Sequence, residues 1–278
     1  MSTRNSQANK AAARERLRAE RERQAKKDKV RRQFIVAGSV VVVLAIAAGA
    51  GYGIMQANKP GHWDAAKDAK VVAPRNTSGS DGTTVTIGKA SAKKTLQTYE
   101  DPRCPICASF EQAVGPTVKK DLDAGKFKIQ YIGATFIDGD QFSKGTVGSR
   151  GEGSKNALSA LGAALNVSPD AFMAYKTALY SAKWHPDETT DKFKDDAYLI
   201  KVAQTVPALK DNAAFQKAVK NGTYDAWAVK MSTKFDKSGV TGTPTLKLDG
   251  KKLTQAGSDN APLTVTDFNT ALDEALKG

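Results

Sequence analysis

The cysteine content of this chain limits how it can fold more than any other feature. Cys104 and Cys107 are the only cysteines among 278 residues, and they stand three positions apart in the stretch EDPRCPICASFE. A disulfide between them would close so short a loop that it would hardly restrain the unfolded chain. The fold must therefore rest on a buried apolar core, for which a hydrophobic content of 40% is sufficient.

A Cys-x-x-Cys pair can bind a metal ion, form a structural disulfide or exchange disulfides with other thiols. A structural zinc site usually takes four ligands, and the chain could add only His62 and His185, at spacings unlike those of a metal module. A structural disulfide gains little from so short a loop. The sequence therefore favours thiol exchange, with the structural disulfide and the metal site kept as alternatives.

The residues around the pair indicate how the two thiols differ. Pro105 is suited to the first turn of a helix, so Cys104 is expected at the helix start, where unpaired backbone N–H groups lower the pKa of a thiol. Arg103 is expected to lower that pKa further, while the neighbouring acids Glu100 and Asp101 oppose it. The second cysteine, one turn into the helix, is expected to be the more shielded thiol.

An uncharged segment lies near the amino end of the chain. Residues 34–55 (FIVAGSVVVVLAIAAGAGYGIM) carry no charge over a length that can cross a hydrocarbon core of about 30 Å. Basic residues crowd its N-terminal flank, so the amino end is expected in the cytoplasm. The sequence predicts an uncleaved membrane anchor followed by an exported domain. A cleaved signal peptide is the alternative, and it would export the same domain.

The net charge of +13 does not by itself indicate a nucleic-acid-binding domain, because +8 of it lies in residues 1–33. The mixture of Glu and Arg in this tail is typical of a solvated helix next to a membrane, where it acts as an orientation signal near anionic lipid. Binding of RNA by the tail is the alternative. The other residues carry only +5, and no nucleic-acid partner is predicted for them.

Four regions are predicted along the chain: a basic cytoplasmic tail (1–33), a transmembrane anchor (34–55), a polar tether (56–80) and an α/β domain (81–278). The tether is polar, is broken by Pro60 and Pro74 and has no sustained period. In the domain, β-branched and aromatic residues that alternate with polar ones predict strands at 84–87, 95–99 and 127–137.

The pattern changes to a helical period between about residues 150 and 238, which predicts an all-helical insert. Ser154 is expected to cap its first helix, and further helices are predicted at 169–181, 191–206, 213–220 and 224–238. After the insert come strands at 245–248 and 252–255, joined by an Asp249-Gly250 turn, and a closing helix at about 266–277. The order of elements predicts an α/β layer with an inserted helical domain.

A second motif, GVTGTPTL at residues 239–246, follows the insert. On its own it predicts only an X-Pro bond before a strand. Together, DPRCPIC and GVTGTPTL, separated by a helical block and followed by a hairpin and a final helix, resemble the DsbA-like branch of the thioredoxin superfamily. The resemblance covers about residues 81–278. It implies a thioredoxin-like fold with an inserted helical domain, preceded here by one transmembrane helix.

The resemblance also implies a role for each part of the site. Cys104 is expected to attack and form a mixed disulfide with a client protein, and Cys107 to resolve or release it. Pro244 is expected to be cis and to lie beside the pair, with Thr243 offering backbone hydrogen bonds to an extended client segment. No dissociable cofactor and no metal ion are expected, because the Cys104–Cys107 disulfide is the redox-active group.

The sequence departs from the pattern of that family at several positions. Thr98 stands six residues before Cys104, where relatives often carry an acid that helps to move the proton of the buried thiol. Asp101 matches an acid that many relatives carry, although its position relative to the surface is open. Arg103 replaces the Trp of thioredoxin, which argues against a reductase of the cytosolic type. Ile106 cannot donate a hydrogen bond to a thiolate, as the His of strong oxidants does, so a weaker oxidant is expected.

Several other residues receive structural interpretations. Trp184 and Trp227 are expected in the core or at an interface, and Trp63 on the tether. His185 is expected to have a surface role between helices. The polar run 145–154 (GTVGSRGEGS) lacks the ending of a phosphate-binding loop, so it predicts a flexible connection into the insert.

The sequence thus predicts a membrane-anchored, extracytoplasmic thiol–disulfide oxidoreductase of bacterial type that forms disulfides in exported proteins. Its expected partners are exported clients with thiols and a quinone-linked membrane protein that reoxidises it. A reductase or isomerase with the same site, a non-catalytic binding or chaperone module, and a metal chaperone are the alternatives. The sequence does not define the clients, the redox partner, the direction of exchange or the oligomeric state.

Overall fold

The structure is a computed structural model of the chain. It describes residues 61–139 and 151–277, together with residues 18, 20–24, 26, 27 and 29 of the basic tail, which are helical. Residues 61–278 form one compact unit, and residues 1–60 belong to another. Among the described residues, no helix is both long and apolar enough to cross a membrane, and the predicted anchor at 34–55 lies outside them.

A five-stranded mixed sheet lies within the unit that starts at residue 61. Its strands are β1 (Val85–Ile87), β2 (Thr95–Glu100), β3 (Lys128–Gly133), β4 (Thr245–Leu248) and β5 (Lys251–Leu253). Their order across the sheet is β1-β3-β2-β4-β5, in which β2 and β3 are parallel and the other neighbours are antiparallel. β2 therefore lies at the centre, and its carboxyl end leads into the cysteine motif.

The two faces of the sheet differ because successive side chains of a strand point to opposite sides. Leu96, Ile129 and Leu248 lie opposite one another on three strands and are buried. Gln97 and Gln130, one position further, lie on the other face, are partly exposed and share a hydrogen bond of 3.1 Å. One face therefore belongs to the apolar core, whereas this part of the other face is polar and open to water.

The helices that the structure describes between residues 61 and 277 are α1 (His62–Asp68), α2 (Pro105–Ala113), α3 (Gly115–Ala124), α4 (Gly153–Val167), α5 (Pro169–Tyr180), α6 (Asp196–Ala203), α7 (Ala213–Lys220), α8 (Asp225–Asp236) and α9 (Val265–Lys277). Short 3₁₀ segments lie at Phe136–Asp138 and Lys192–Lys194. Helices α4 to α8 form the insert between β3 and β4. The predicted α/β layer with a helical insert is therefore confirmed.

Helix α4 is the most deeply buried helix of the insert. Its residues from Ala157 to Leu165 are buried without exception, because the helix is rich in Ala and Leu and is covered on several sides. Gly162 lies against the indole of Trp227, where an added Cβ would come within 2.9 Å of the ring. Trp227 is fully buried, as predicted, and donates its indole N–H to the carbonyl of Gly82 at 2.9 Å. Helix α8 is thereby tied to the loop before β1.

Several predicted boundaries differ from the structure. The strand predicted at 127–137 ends at Gly133, and the chain then turns through a 3₁₀ segment toward the cysteine motif. The helix predicted at 191–206 divides into a 3₁₀ turn and α6. Ser154 does not cap α4, which begins at Gly153; its hydroxyl donates to Asp101 at 2.6 Å instead. A partner 53 residues away in sequence thus outweighs a local capping preference.

The segment predicted as a tether is folded over most of its length. Helix α1 lies within it, and Trp63, expected on a tether, is only 7% exposed. His62 Nε2 lies 2.7 Å from a carboxylate oxygen of Asp225. The side-chain amide of Asn76 donates to the carbonyl of Leu165, also at 2.7 Å. Because of these contacts, the compact unit begins at Gly61 rather than near residue 81.

Candidate active site

The two cysteines lie where β2 ends and α2 begins. Cys104 is the N-cap of α2 and Pro105 occupies its first turn, as predicted. The Cys104 sulfur accepts a hydrogen bond from the backbone N–H of Cys107 at 3.2 Å. Both cysteines are free thiols, so the structure represents the reduced state.

The Thr243-Pro244 loop faces the same sulfur. Strand β4 runs antiparallel to β2, with Thr245 opposite Tyr99, so the residues just before β4 reach the start of α2. The Thr243-Pro244 peptide bond is cis, and the Thr243 carbonyl oxygen lies 3.4 Å from the Cys104 sulfur. The fold therefore brings Cys104 and Thr243 together, although they are 139 positions apart in sequence, as the resemblance implied.

The two thiols have different acidities because their surroundings differ. The pKa of Cys104 is lowered to about 7, chiefly by the hydrogen bond from the side chain of Cys107 and also by backbone N–H groups at the helix start. The pKa of Cys107 is raised well above its ordinary value, because burial disfavours its thiolate and Cys104 adds to the effect. Near neutrality, Cys104 is therefore the thiol of the pair that ionises, whereas Cys107 stays protonated.

Arg103 does not act on Cys104 as the sequence predicted. Its buried guanidinium donates to Asp138 at 2.9 Å and to the carbonyl of Glu188 at 2.8 Å. It also lies 3.3 Å from a carboxylate oxygen of Asp191. These partners balance its charge, so the bonds at the helix start lower the pKa of the Cys104 thiol instead. Arg103 joins the cysteine loop to the turn after β3 and to the insert.

Asp101 is fully buried, although the sequence left its position open. One of its oxygens accepts hydrogen bonds from the backbone N–H of Arg103, at 2.9 Å, and from the side-chain hydroxyl of Ser154, at 2.6 Å. The other accepts the N–H of Ile137 at 3.1 Å. Burial raises the pKa of Asp101 to about 8, and the carboxyl of Asp138 adds to this effect. Asp101 thus holds three segments around the cysteine loop in place.

A buried charge cluster lies close enough to Cys107 to influence its pKa. Lys176 of α5 donates to both carboxyl oxygens of Glu100, at 3.1 and 3.0 Å, and to Glu111 of α2, at 2.5 Å. Burial raises the pKa of Glu100 to about 7, and the charge of Glu100 raises the pKa of Cys107. Two carboxyl groups share one ammonium group, so the cluster can hold an exchangeable proton near neutrality. Lys176 could not be predicted from a local pattern, because it lies 65 and 76 positions from its partners.

Thr98 lies on β2, two residues before Glu100 and therefore on the same face of the sheet. It is 3% exposed and stands opposite Tyr131 of β3. Its hydroxyl finds no hydrogen-bond partner in the described part of the chain. Because side chains alternate between the two faces along β2, the sequence could have shown that Glu100 is an acid on the same face as Thr98 and two residues nearer the cysteines.

A groove of about 460 Å³ adjoins the cysteine pair. One wall is the 241–245 loop, which contains Thr243 and Pro244. The other side combines the apolar residues Ile106, Ala261 and Leu263 with the polar residues Lys252, Gln255, Asp259 and Asn260. Ile106 is 50% exposed although it is large and apolar. The groove thus offers backbone polar groups along one wall and a mixed polar and apolar surface on the other, which suits an extended peptide.

The remaining predicted residues lie away from this chemistry. His185 lies in the loop after α5 and is partly exposed; its ring stacks on Tyr180, with centroids 5.8 Å apart, and meets the edge of Phe193 at 6.0 Å. Burial lowers its pKa. Trp184 packs against the core, as predicted. Most of the run 145–154 lies outside the described residues. Across 61–139 and 151–277, no cluster of His, Cys, Asp and Glu could hold a metal ion.

The fold and these motifs match a known family. A family model described as thioredoxin matches residues 80–274, well over half of the chain. The chain belongs to the thioredoxin family. The predicted thioredoxin-like fold is confirmed, with the helical insert between β3 and β4.

Individual relatives are distant. Disulfide bond formation protein D of Bacillus subtilis is 25% identical over 166 residues, which are 59% of this chain and 67% of that protein. Serine/threonine-protein kinase PknE of Mycobacterium tuberculosis is 23% identical over 161 residues, 58% of this chain, and the match spans only 27% of the kinase. The structure of MdbA, a thiol-disulfide oxidoreductase from Actinomyces oris, has a TM-score of 0.58 at 20% identity and covers 75% of this chain and 94% of that one.

Proposed function

We propose that this thioredoxin-family protein is a thiol–disulfide oxidoreductase that forms disulfides in exported proteins. The observation that carries the proposal is the unequal pair of thiols at the start of α2, with the pKa of Cys104 lowered to about 7 and that of Cys107 raised. A thiol of low pKa is a good leaving group, so a mixed disulfide readily expels Cys104 and passes its bond to a client. The names of two relatives, a disulfide bond formation protein and a thiol-disulfide oxidoreductase, support this activity.

The proposed reaction begins with the oxidised Cys104–Cys107 disulfide. A client thiolate attacks the Cys104 sulfur, the bond between the two cysteines breaks, and its electron pair leaves with Cys107. A mixed disulfide now joins Cys104 to the client. A second client thiolate attacks the client sulfur of this bond and expels Cys104 as a thiolate. The client has lost two electrons, and the two cysteines have gained them.

Cys107 needs a proton when it leaves, because burial strongly disfavours its thiolate. Glu100 is the proposed donor. Its pKa of about 7 leaves it partly protonated at neutral pH, and Lys176 stabilises the carboxylate that remains. The same carboxylate takes the proton back when Cys107 attacks a disulfide. Glu100 thereby fills the role that relatives give to an acid at the position of Thr98.

The groove beside the cysteines is the proposed client site. Backbone groups of the loop that contains Thr243 and Pro244 can pair with an extended client segment, as an added strand does at a sheet edge. Ile106 offers an exposed apolar surface to the same segment. A client cysteine held there lies next to Cys104, since the Thr243 carbonyl is 3.4 Å from its sulfur.

The proposed location is the outer side of the cell membrane. Residues 34–55 are the proposed anchor, with the amino end in the cytoplasm, and their lack of charge and basic flank support this arrangement. Exported proteins with thiols are then the clients, and a quinone-linked membrane protein accepts electrons from the reduced pair. The cycle needs no dissociable cofactor.

Trapping of clients tests the proposal. In a Cys107→Ala variant, the Cys104 thiolate has no resolving partner, so mixed disulfides with exported proteins are expected to accumulate on non-reducing gels. A Cys104→Ser control is expected to trap none and to support no disulfide formation. If Cys104→Ser still supports disulfide formation in clients, the protein is a binding module instead.

The direction of exchange needs a second measurement, the redox state of the wild-type pair in cells. A mostly oxidised Cys104–Cys107 pair is expected for an enzyme that forms disulfides. A mostly reduced pair would assign the same site to a reductase or isomerase.

A further inference from the structure

The sheet face that carries Gln97 and Gln130 is covered over only part of its area. Toward the carboxyl end of β2 it packs against α8, where the rings of Tyr99 and Phe235 lie 6.3 Å apart. The connection from β1 to β2, residues 88–94, contains no helix that could cover the rest of this face. A hollow of about 380 Å³ therefore remains over the amino ends of β2 and β3.

This hollow and the groove beside the cysteines lie on the same face of the sheet. Residues that stand opposite each other on neighbouring strands point to the same side, and one row across four strands consists of Gln130, Gln97, Lys247 and Lys252. The two glutamines line the hollow, and Lys252 lines the groove. Lys247 lies between them, with its ammonium group 5.2 Å from the centre of the Tyr99 ring. We call these four residues the polar row; it joins the groove to the hollow.

The polar row can form hydrogen bonds with a polypeptide backbone. A glutamine amide both donates and accepts, and Gln97 and Gln130 use one donor and one acceptor on each other, at 3.1 Å. Both side chains are partly exposed, so their other donors and acceptors are open to a partner. An apolar segment would gain little here, because burial of amide and ammonium groups without new hydrogen bonds is costly. The row therefore suits an extended, hydrophilic segment.

Two lysines give the hollow and the polar row a positive charge. Within the described residues, neither Lys128, at the hollow, nor Lys247 has a carboxylate at ion-pair distance. Asp249, at the rim of the hollow, is balanced by Lys94 at 3.3 Å. The groove itself contains one lysine and one aspartate, whose charges offset each other. The unbalanced positive charge thus lies beyond the groove, on the sheet.

We infer that the polar row extends the client site, and that Lys247 and Lys128 favour clients with acidic residues near the reacting cysteine. This inference rests on the proposed function. A client segment is the occupant because the row continues directly from the groove in which the client cysteine is proposed to lie. A protein that still lacks its disulfides offers extended segments with free backbone groups, which match the glutamine amides of the row.

The spacing of the sheet predicts where the acidic residues lie in the client. Thr243, whose carbonyl is 3.4 Å from the Cys104 sulfur, precedes Lys247 by four residues, or about 14 Å. An extended client covers this distance in about four residues. Lys128 lies about 10 Å further across the sheet and about 7 Å along β3 from Gln130, which adds three or four client residues. The predicted positions are therefore about four and about eight residues from the client cysteine.

Peptide disulfides test the inference on the reduced full chain in detergent. Each peptide carries one cysteine in a mixed disulfide with thionitrobenzoate; Cys104 attacks the peptide sulfur, and the coloured thiolate leaves. Glutamates at the two predicted positions, placed on either side of the cysteine in turn, are compared with glutamines. On one side, each glutamate is expected to lower the half-saturating concentration by about threefold, with the maximal rate unchanged. High salt is expected to remove the difference.

Paired variants locate the effect. Lys128→Gln together with Lys247→Gln is expected to abolish the preference for the acidic peptide, and Lys→Glu at the same two positions to reverse it in favour of lysine-bearing peptides. Lys194→Gln together with Lys217→Gln makes the same change of charge on exposed residues of the insert and should leave the preference intact. A preference that survives the first pair, or one that the insert pair also removes, would overturn the inference.

Two controls separate this inference from the proposed function and from a general attraction of acids. The mixed disulfide of thionitrobenzoate with 2-mercaptoethanol is too small to reach the polar row, so all variants should react with it at the wild-type rate. If the wild-type chain does not react with it, the proposed function fails. If it reacts but all peptides saturate alike, only the extended client site is disproved. Glutamates moved about fifteen residues from the cysteine should have no effect; an equal effect there would indicate attraction by the net charge and overturn the inference.

Discussion

Cys104 and Cys107 have the same side chain, yet their positions at one helix start separate their acidities. The sulfur of Cys104 accepts the Cys107 N–H at 3.2 Å, while Cys107 is completely buried. The first environment stabilises a thiolate and the second penalises one. The acidities of the two thiols therefore follow from their hydrogen bonds and burial, and each can be measured separately.

The first prediction concerns the pH dependence of Cys104. Because its pKa is lowered to about 7, alkylation of the reduced protein by iodoacetamide is expected to rise with pH, reach half its maximum near pH 7 and level off above pH 8. Cys107 is expected to stay unmodified over this range, because its pKa is raised. A Cys104 rate that still rises in proportion to hydroxide at pH 8.5 would show an ordinary thiol and contradict the proposal.

The same shift has a consequence for stability, since a lowered pKa favours the folded state whenever the group is ionised. The contribution of Cys104 to the free energy of unfolding of the reduced protein is fully present above the ordinary cysteine pKa. It is lost as pH falls through about 7. Denaturant unfolding of reduced protein at pH 8.5 and pH 6 measures the loss, with Cys104→Ser as the control in which this contribution is absent.

The second prediction concerns Glu100. A Glu100→Gln variant cannot exchange a proton with Cys107, so resolution of a mixed disulfide by Cys107 is expected to slow by at least about tenfold at pH 7. The pH dependence centred near 7 is expected to disappear with it. The fold should tolerate the change, because Lys176 keeps its contact with Glu111. Stopped-flow release of a thiol leaving group from the mixed disulfide measures the rate.

Glu111→Gln is the matched control for Glu100. Removal of the Glu111 charge lowers the pKa of Glu100, because that charge is one of the causes that raise it. The pH dependence of resolution is therefore expected to move to lower pH rather than to vanish. If both variants resolve the mixed disulfide with the wild-type profile, Glu100 has no part in the proton transfer.

The third prediction concerns Ile106, the residue before the second cysteine. Its side chain is half exposed and has no hydrogen-bond donor for the Cys104 thiolate. The potential of the wild-type pair is therefore expected to lie below the value of about −120 mV that marks the strongest oxidants. An Ile106→His change is expected to raise it by at least about 30 mV, a tenfold change in the equilibrium with glutathione. Ile106→Leu, which adds no donor, should leave the potential unchanged.

At the scale of helices and strands, local patterns were sufficient to predict most of the architecture. Alternating β-branched residues predicted β2, and Pro105 predicted the start of α2, because these signals act over a few neighbouring residues. The contacts that join the elements could not be predicted in this way. Arg103 meets Asp138 across 35 positions, and no spacing rule links two residues that far apart. The sequence therefore assigned Arg103 to the thiolate rather than to the buried carboxylate.

The fourth prediction concerns the contribution of the buried contact between Arg103 and Asp138 to the stability of the fold. Arg103→Met removes the nearer of two cations beside Asp138, whose side chain is completely buried, and leaves Lys155 at 3.9 Å; it is expected to cost about 3–5 kcal/mol in the free energy of unfolding. Adding Asp138→Asn should recover part of the loss, because the less well balanced buried charge disappears. Lys119→Met breaks the exposed pair with Asp123 and is expected to cost no more than about 1 kcal/mol. Denaturant unfolding of the four proteins provides the comparison; equal losses for Arg103→Met and Lys119→Met would contradict the assigned role.

At the scale of the whole molecule, charge and hydropathy divide the chain into parts with different surroundings. The basic residues 1–33, the uncharged residues 34–55 and the compact unit that begins at Gly61 follow one another with short connections. The redox chemistry needs only the compact unit, since the cysteines, the Thr243-Pro244 loop and the Glu100 cluster all lie within it. The amino-terminal parts are proposed to determine where that chemistry takes place.

The fifth prediction separates the redox chemistry of the compact unit from the membrane attachment proposed for the amino-terminal parts. The full chain is expected to remain with membranes after alkaline carbonate washing, whereas residues 61–278 behind a cleavable export signal are expected in the soluble fraction. Both should show the same pH profile of Cys104 alkylation. Leu44→Arg places a charge in the middle of the uncharged segment, at a cost of about 3 kcal/mol for insertion, and is expected to weaken membrane retention without changing the thiols. Recovery of the wild-type chain as a shortened, soluble protein would identify residues 34–55 as a cleaved signal peptide, and the exported oxidoreductase would then act without an anchor.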